Sequence, residues 1–128
     1  MIRNFVRGVL AAAFVFVASS AMAAPAIQYL QSAAGMVMAD DKGMVLYTYD
    51  RDTAPNVSTC TGGCLAAWPL FKADTGTAGG DWTIVTREDG AKVWSYKGKP
   101  LYYYAQDKEK GDSKGSTVAN WKVVAQGQ

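Results

Sequence analysis

The stretch KGMVLYTYDRD at residues 42–52 returns, altered, as KGKPLYYYAQD at residues 97–107. Six letters match at a constant offset of 55: Lys, Gly, Leu, Tyr, Tyr and Asp. Aromatic residues are enriched in strands, and glycine punctuates strands at turns. The repetition therefore predicts a duplicated β unit, with a turn before each strand and an aspartate after it.

Each copy carries two tyrosines two positions apart, which share one face of a strand, and an aspartate three residues further on. The motif residues are Tyr47, Tyr49 and Asp52 in the first copy and Tyr102, Tyr104 and Asp107 in the second. The structural interpretation is that the rings fill a core and the carboxylates fix turns. The alternative is that Asp52 and Asp107 converge as paired carboxylates for acid/base catalysis or for a cation.

A third interpretation is an aromatic binding platform for sugars or peptides. It would use Tyr103, Trp94 or Trp82 where their rings face solvent, because clusters of exposed aromatic residues mark binding surfaces.

The rest of the sequence favours short antiparallel strands. Asp89-Gly90 is a strong hairpin signal, and no stretch has an apolar stripe of helical period over three turns. A helical turn is expected only at 65–68, before Pro69. Strands are predicted at 36–39, 44–49, 82–87, 92–96, 100–105 and 121–125. The expected fold is all-β and mainly antiparallel.

The repeat boundaries predict two tandem hairpin or meander units, at about 36–72 and 82–125, joined by the Gly/Thr-rich stretch 75–80. Because roughly 45 residues are too few for an independent core, the units are expected to pack into one small domain.

The N-terminus has the three regions of a secretory signal peptide: Arg3 and Arg7, an uncharged run at 8–18, and a small-residue end at Ala23. Cleavage after Ala23 leaves a domain of residues 24–128. The uncharged run is too short to be a good membrane span, so no transmembrane segment is expected in the mature chain. The chain is expected to be periplasmic or secreted, and soluble.

Charge and composition exclude several classes of function. Removing Arg3 and Arg7 leaves 11 of the 13 basic residues against 11 acidic ones, so the mature chain is formally neutral. Nucleic-acid binding, which needs a basic surface, is not expected. The chain has no histidine, which excludes Ser-His-Asp and Cys-His catalysis and ordinary histidine metal sites.

Cys60-Thr-Gly-Gly-Cys64 contains the only two cysteines. In an exported chain a disulfide is the default expectation, and the two glycines give the backbone freedom to close the loop. The alternative is a reduced pair that binds Cu(I) or exchanges disulfides, since soft sulfur ligands favour Cu(I). In that case Met36 and Met38, on one strand face, and Met44 are candidates for further ligands.

Two copies of Tyr-x4-Asp, each preceded by Lys-Gly-x-x-Leu, with CTGGCLAAWP at 60–69 between them, resemble a bacterial secreted repeat family named for this motif. The resemblance covers about 37–124 and implies the repeated fold and export, without an established general activity. Many family members resemble lipoproteins. This chain lacks a cysteine at the predicted cleavage site, so a lipid anchor is not expected.

The sequence thus predicts an exported, non-catalytic binding or envelope-associated module without a cofactor. Its partner would be a small molecule, a glycan or an envelope protein. The second hypothesis is a periplasmic copper-binding or thiol-redox protein that uses Cys60 and Cys64. The third is a carboxylate-dependent enzyme.

Overall fold

Seven short β-strands make up most of the regular structure in the part of the chain that the computed structural model describes, residues 24–74 and 76–127. The strands are β1 (Ile27–Ser32), β2 (Gly35–Asp40), β3 (Tyr47–Tyr49), β4 (Trp82–Thr86), β5 (Lys92–Tyr96), β6 (Lys99–Pro100) and β7 (Trp121–Val123). The five-residue helix α1 (Gly63–Ala67) and a 3-10 turn at Lys114–Thr117 complete the regular elements. The predicted signal peptide at 1–23 lies outside the described residues.

All strand pairing is antiparallel, as the sequence predicts. The three small sheets have the orders β1-β2, β3-β7 and β4-β5-β6. The hairpin predicted around Asp89-Gly90 joins β4 to β5 with the register Val85↔Val93.

The two repeats exchange strands. In the first repeat, β3 pairs with β7 of the second, so that Tyr47 lies opposite Val123. The matching residues of the second repeat pair with the first, since Tyr102 forms a bridge with Leu70, and Val93 with Lys72. Each repeat therefore completes the sheet of the other, and the repeats pack on each other as one unit.

Successive side chains of a strand point to opposite faces. The two repeated strands therefore contribute side chains to two different hydrophobic clusters. Tyr47 and Tyr102, both fully buried, belong to the first cluster, with Trp68 and Trp121. Their chain neighbours Leu46 and Leu101 belong to the second cluster, which also contains Met38, Phe71 and Trp94. The two sides of each strand thus face two different cores, which is why both sides are apolar.

The repeated Lys-Gly dipeptide has a conformational reason. Gly43 has a φ of +85° and Gly98 a φ of +82°, in the left-handed region that L side chains rarely adopt. A Cβ atom at Gly43 would also lie 3.0 Å from Cγ of Lys110. Glycine at this position therefore makes both turns possible.

The structure departs from the predicted elements in several places. Strand β1 is not predicted by the sequence analysis, nor is the 3-10 turn. The strands expected at 44–49, 100–105 and 121–125 are shorter, because parts of these stretches form single bridges between sheets instead of continuous ladders. The expected helical turn begins two residues earlier, at Gly63. No helix within the described ranges is both long and apolar enough to cross a bilayer.

Candidate functional site

The motif tyrosines and aspartates form two hydrogen-bonded pairs that cross between the repeats. The hydroxyl of Tyr47 donates to Oδ2 of Asp107 at 2.5 Å, and the hydroxyl of Tyr102 donates to Oδ2 of Asp52 at 2.6 Å. The backbones of the two tyrosines also pair, with N–H to carbonyl distances of 2.8 and 2.9 Å. Each tyrosine therefore bonds the aspartate of the other repeat, and the pairs are related by a pseudo-twofold axis.

Each aspartate also fixes the loop that follows it. Oδ1 of Asp52 accepts from the backbone N–H and the hydroxyl of Thr59, at 2.7 and 2.6 Å. Oδ1 of Asp107 accepts from the backbone N–H of Lys114 at 3.0 Å. The bonds from the backbone N–H groups of Thr59 and Lys114 each span seven residues. The two carboxylates therefore occupy equivalent positions in the two repeats.

Four aromatic rings stack through the centre of the molecule. Trp68 and Trp121 lie face to face at 3.8 Å between ring centroids, with an interplanar angle of 4°. Tyr49 stacks on Trp121 at 4.3 Å, and Tyr104 stacks on Trp68 at 4.2 Å. The order Tyr49–Trp121–Trp68–Tyr104 alternates between the repeats, so the stack follows the same pseudo-twofold symmetry.

Burial and hydrogen bonding hold both bonded phenols in the neutral form. Burial is the largest cause of the raised pKa of Tyr47, followed by its hydrogen bond to Asp107. The pKa of Tyr102 is raised by burial and then by its hydrogen bond to Asp52. Burial also raises the pKa of the Asp107 carboxyl, against the opposing effect of the bond from Tyr47. The tyrosines act as hydrogen-bond donors and have no tendency to act as bases near neutral pH.

Each of the two carboxylates is occupied by partners of its own. Asp52 and Asp107 each bond to a tyrosine and to their own loop, and within the described residues no hydrogen bond joins one to the other. A carboxylate that is occupied in this way is a poor acid/base group or cation ligand unless its partners move.

The two pairs differ in the second partner of the tyrosine hydroxyl. At Tyr102 this partner is the side chain of Ser58, with an oxygen–oxygen distance of 2.6 Å. Nη1 of Arg87 donates to the same serine oxygen. The polar network thus continues from Asp52 through Tyr102 and Ser58 to Arg87.

At Tyr47 the second partner of the hydroxyl is a backbone N–H group. The N–H of Gly115 donates to the Tyr47 hydroxyl at 3.2 Å. A Cβ atom at Gly115 would lie 2.7 Å from the Trp68 ring and 2.8 Å from the Tyr47 ring. The second pair is therefore sealed by a glycine in close contact with two aromatic rings.

The network at Tyr102 ends in a cleft of about 710 Å³, which we call the Arg87 cleft. One wall is formed by residues 56–59 and 61, and the other by residues 85–89, at the end of β4 and the following turn. Its lining is rich in hydroxyl and amide groups, and Val57, which is 47% exposed, adds an apolar contact.

Arg87 is the buried charge of this cleft, with only 3% of its side chain exposed. Its Nε and Nη2 donate to the carboxylate of Asp89 at 3.1 to 3.3 Å, and these bonds lower the pKa of Asp89. An arginine carries five N–H donors. Three are occupied by Asp89 and Ser58, and the remaining two have no partner among the described residues.

Three residues of this site, Arg87, Ser58 and Thr59, are not among those predicted from the sequence. A signal for Arg87 is present, because the residue two positions earlier, Val85, faces the core. In a strand, the alternation then places the arginine on the same buried side. A buried arginine needs charged or polar partners, so this inward position could have marked the site.

The two cysteines form the disulfide that the sequence predicts. Cys60 is buried in the first hydrophobic cluster, whereas Met38 is buried in the second and Met36 is 39% exposed. The oxidised pair has no thiolate to offer Cu(I). Within the described part of the chain, no group of three or more cysteine or acidic side chains is placed to hold a metal ion.

The aromatic residues suggested for a platform are not exposed as a group. Trp94 is 2% exposed, and its ring packs edge to face with Trp82. The hydroxyl of Tyr103 donates to Oδ2 of Asp40 at 2.8 Å. These rings therefore belong to the second core, and they do not form an open stacking surface.

In a comparison with known proteins, the chain matches a family model described as a secreted repeat of unknown function. The model matches the chain twice, at residues 29–72 and 83–125. No curated protein and no solved structure matches the chain.

Proposed function

The chain belongs to this family of secreted repeats, and we propose that it is an exported, non-catalytic module that binds a ligand in the Arg87 cleft. The observation that carries the proposal is the buried Arg87, which has two N–H donors without a partner in the described chain. Each nitrogen of the guanidinium already donates one hydrogen bond within the protein. The two further N–H groups can donate to acceptor atoms that a ligand brings into the cleft.

The non-catalytic part of the proposal rests on the chemistry of the groups at the site. The chain has no histidine to act as a base near neutral pH. The Asp52 carboxylate is held by Tyr102 and Thr59, and the Tyr102 phenol is held neutral. These groups fix the position of Ser58 and Arg87, which is what a preformed binding site requires.

We further propose that residues 24–128 form one mature domain, released after cleavage at Ala23, in the periplasm or outside the cell. The leader pattern at 1–23 supports export. The only cysteines, Cys60 and Cys64, are joined to each other, which supports a mature chain without a lipid on cysteine.

The test is a ligand screen read out at individual residues. The ¹⁵N-labelled protein is titrated with three probes: a pool of hexapeptides blocked at both ends, N-acetylglucosamine oligosaccharides, and soluble peptidoglycan fragments. The proposal predicts that at least one probe shifts amides at 56–61 and 85–89 in a saturable manner. If every probe that binds shifts amides elsewhere, or none binds, the proposal for this cleft is wrong.

A pair of matched variants ties the binding to the cleft. Val57 and Met36 are both exposed apolar residues, but only Val57 lines the cleft. Val57→Lys places a long charged side chain at the mouth of the cleft. It is expected to weaken binding at least about tenfold, which corresponds to a loss of about 1.4 kcal/mol of binding free energy. Met36→Lys is expected to leave the affinity unchanged. Equal losses in the two variants would contradict the proposal.

A further inference from the structure

The edge of strand β4 offers unpaired backbone groups beside the Arg87 cleft. β4 pairs only with β5 in its sheet. The N–H of Arg87 donates to the carbonyl of Ala91. In an antiparallel ladder, hydrogen-bonded and non-hydrogen-bonded pairs alternate, so Thr86 and Ile84 direct their backbone groups away from β5.

These outward groups have a partner at only one end of the strand. Trp82 exchanges two backbone hydrogen bonds with Gly79, at 2.9 and 3.1 Å. The outward N–H and C=O groups of Ile84 and Thr86 have no backbone partner among the described residues. Such an edge is a template for another extended chain.

The charge of the cleft limits what can pair there. Arg87 is the single cation among its lining residues, which also include the acidic Glu88 and Asp89, and Asp89 already bonds the guanidinium. An anionic ligand would add a further negative charge to this group. A neutral or basic ligand that brings carbonyl acceptors avoids this repulsion and still satisfies the two open N–H groups of Arg87.

We propose that the ligand is an extended peptide segment, neutral or basic, which adds to the edge of β4 as a further antiparallel or parallel strand. Its backbone would pair with Ile84 and Thr86, and its carbonyl groups would accept from Arg87. Val57, across the cleft, would contact one of its side chains. Strand addition of this kind takes affinity from main-chain hydrogen bonds and specificity from the side-chain contacts. This inference rests on the proposed function, because it names the ligand class of the same cleft.

The first arm of the test uses the peptide pool and its backbone-methylated counterpart on the wild-type protein. N-methylation removes the backbone donors of the probe and keeps its side chains. Blocked hexapeptides are expected to shift the amides of Ile84 and Thr86, and the methylated pool is expected to bind at least about tenfold more weakly, as the loss of one or more hydrogen bonds predicts. Equal binding by both pools would overturn strand addition.

The second arm uses Thr86→Pro. Proline lacks the outward N–H but leaves the ladder to β5 intact, and edge strands tolerate it. A variant with a wild-type-like spectrum is expected to lose peptide affinity about tenfold, whereas Met36→Lys is expected to keep it. If Thr86→Pro does not fold, the methylated pool still decides the question.

The remaining outcomes separate this inference from the proposed function. If only the oligosaccharides or peptidoglycan fragments shift the cleft amides, the cleft binds ligands but the peptide inference is wrong. If the amides of Ile84 and Thr86 shift with protein concentration in the absence of any probe, the edge pairs with a second copy of the chain, and the peptide inference is again wrong. If no probe shifts the cleft, both fail.

Discussion

The two tyrosine–aspartate pairs have the same local chemistry but different surroundings. In both, a buried phenol crosses to the carboxylate of the other repeat, at 2.5 and 2.6 Å. The Tyr47 pair is closed by the backbone of Gly115, whereas the Tyr102 pair continues through Ser58 to Arg87 and the cleft. The comparison teaches that the two repeats share one scaffold, and that only the Tyr102 pair is connected to an open cleft among the described residues.

The largest expected effect on stability concerns the tryptophan stack, to which each repeat contributes one ring. Trp68 and Trp121 stack at the pseudo-twofold axis and are 5% and 7% exposed. Trp68→Ala and Trp121→Ala should each lower the free energy of unfolding by about 3–5 kcal/mol, measured by urea denaturation. If either substitution costs less than about 1 kcal/mol, the stack is not the common centre of the two repeats.

The next effect separates the two tyrosines. Tyr47→Phe leaves Asp107 with one donor, from Lys114, and leaves the N–H of Gly115 without its acceptor. Tyr102→Phe leaves Asp52 with both donors of Thr59. We therefore expect Tyr47→Phe to cost about 2–3 kcal/mol and Tyr102→Phe about 1–2 kcal/mol. The reverse order in denaturation experiments would contradict this view of the sealed pair.

A smaller effect tests the seal itself. Gly115→Ala places a methyl group 2.7 Å from Trp68 and should cost about 1–3 kcal/mol through overpacking. Gly63, in helix α1, is the matched control, because a Cβ atom there meets nothing within 4 Å. Gly63→Ala should be neutral or stabilising by up to about 1 kcal/mol. Thermal unfolding of the two variants side by side measures the difference, and equal midpoints would show that Gly115 is not tightly packed.

The smallest expected effect is a pH dependence. The raised pKa of Asp107 means that the native state binds its proton more tightly than the unfolded chain does. Stability should therefore fall as the pH rises from the ordinary aspartate pKa through the raised native value, and then level off. The difference in unfolding free energy between wild type and Asp107→Asn, measured across this window, should follow the same curve. A difference that increases with pH would give the shift the opposite sign.

The faces of the repeated strands could be predicted from the sequence, because the alternation of side chains has a period of two and is a local property. Tyr47 and Leu46 accordingly lie in different clusters. The disulfide could be predicted from the cysteine count and the leader-like pattern of the N-terminal sequence. Strand β1 was missed because its sequence, IQYLQS, lacks a regular alternation of apolar and polar residues, and its residues are half-buried or exposed.

The exchange between repeats could not be predicted from the sequence. Tyr47 lies five positions from Asp52 in the chain but bonds Asp107, 60 residues away. Which aspartate a tyrosine reaches depends on how two similar units pack, and either pairing is compatible with the motif. The Arg87 cleft has the same origin, because its lining comes from residues 56–59 and 61 of one repeat and 85–89 of the other.

The most direct test of the asymmetry compares ligand affinity in Tyr102→Phe and Tyr47→Phe, at a temperature where both variants are folded. The probe is whichever of the blocked hexapeptides or oligosaccharides saturates the cleft amides of the wild-type protein. Tyr102→Phe, which releases Ser58, should weaken its affinity about five- to tenfold. Tyr47→Phe should leave the affinity within about twofold of wild type, although it is expected to be the less stable variant. Equal losses, or a larger loss for Tyr47→Phe, would contradict the division into one binding pair and one sealed pair.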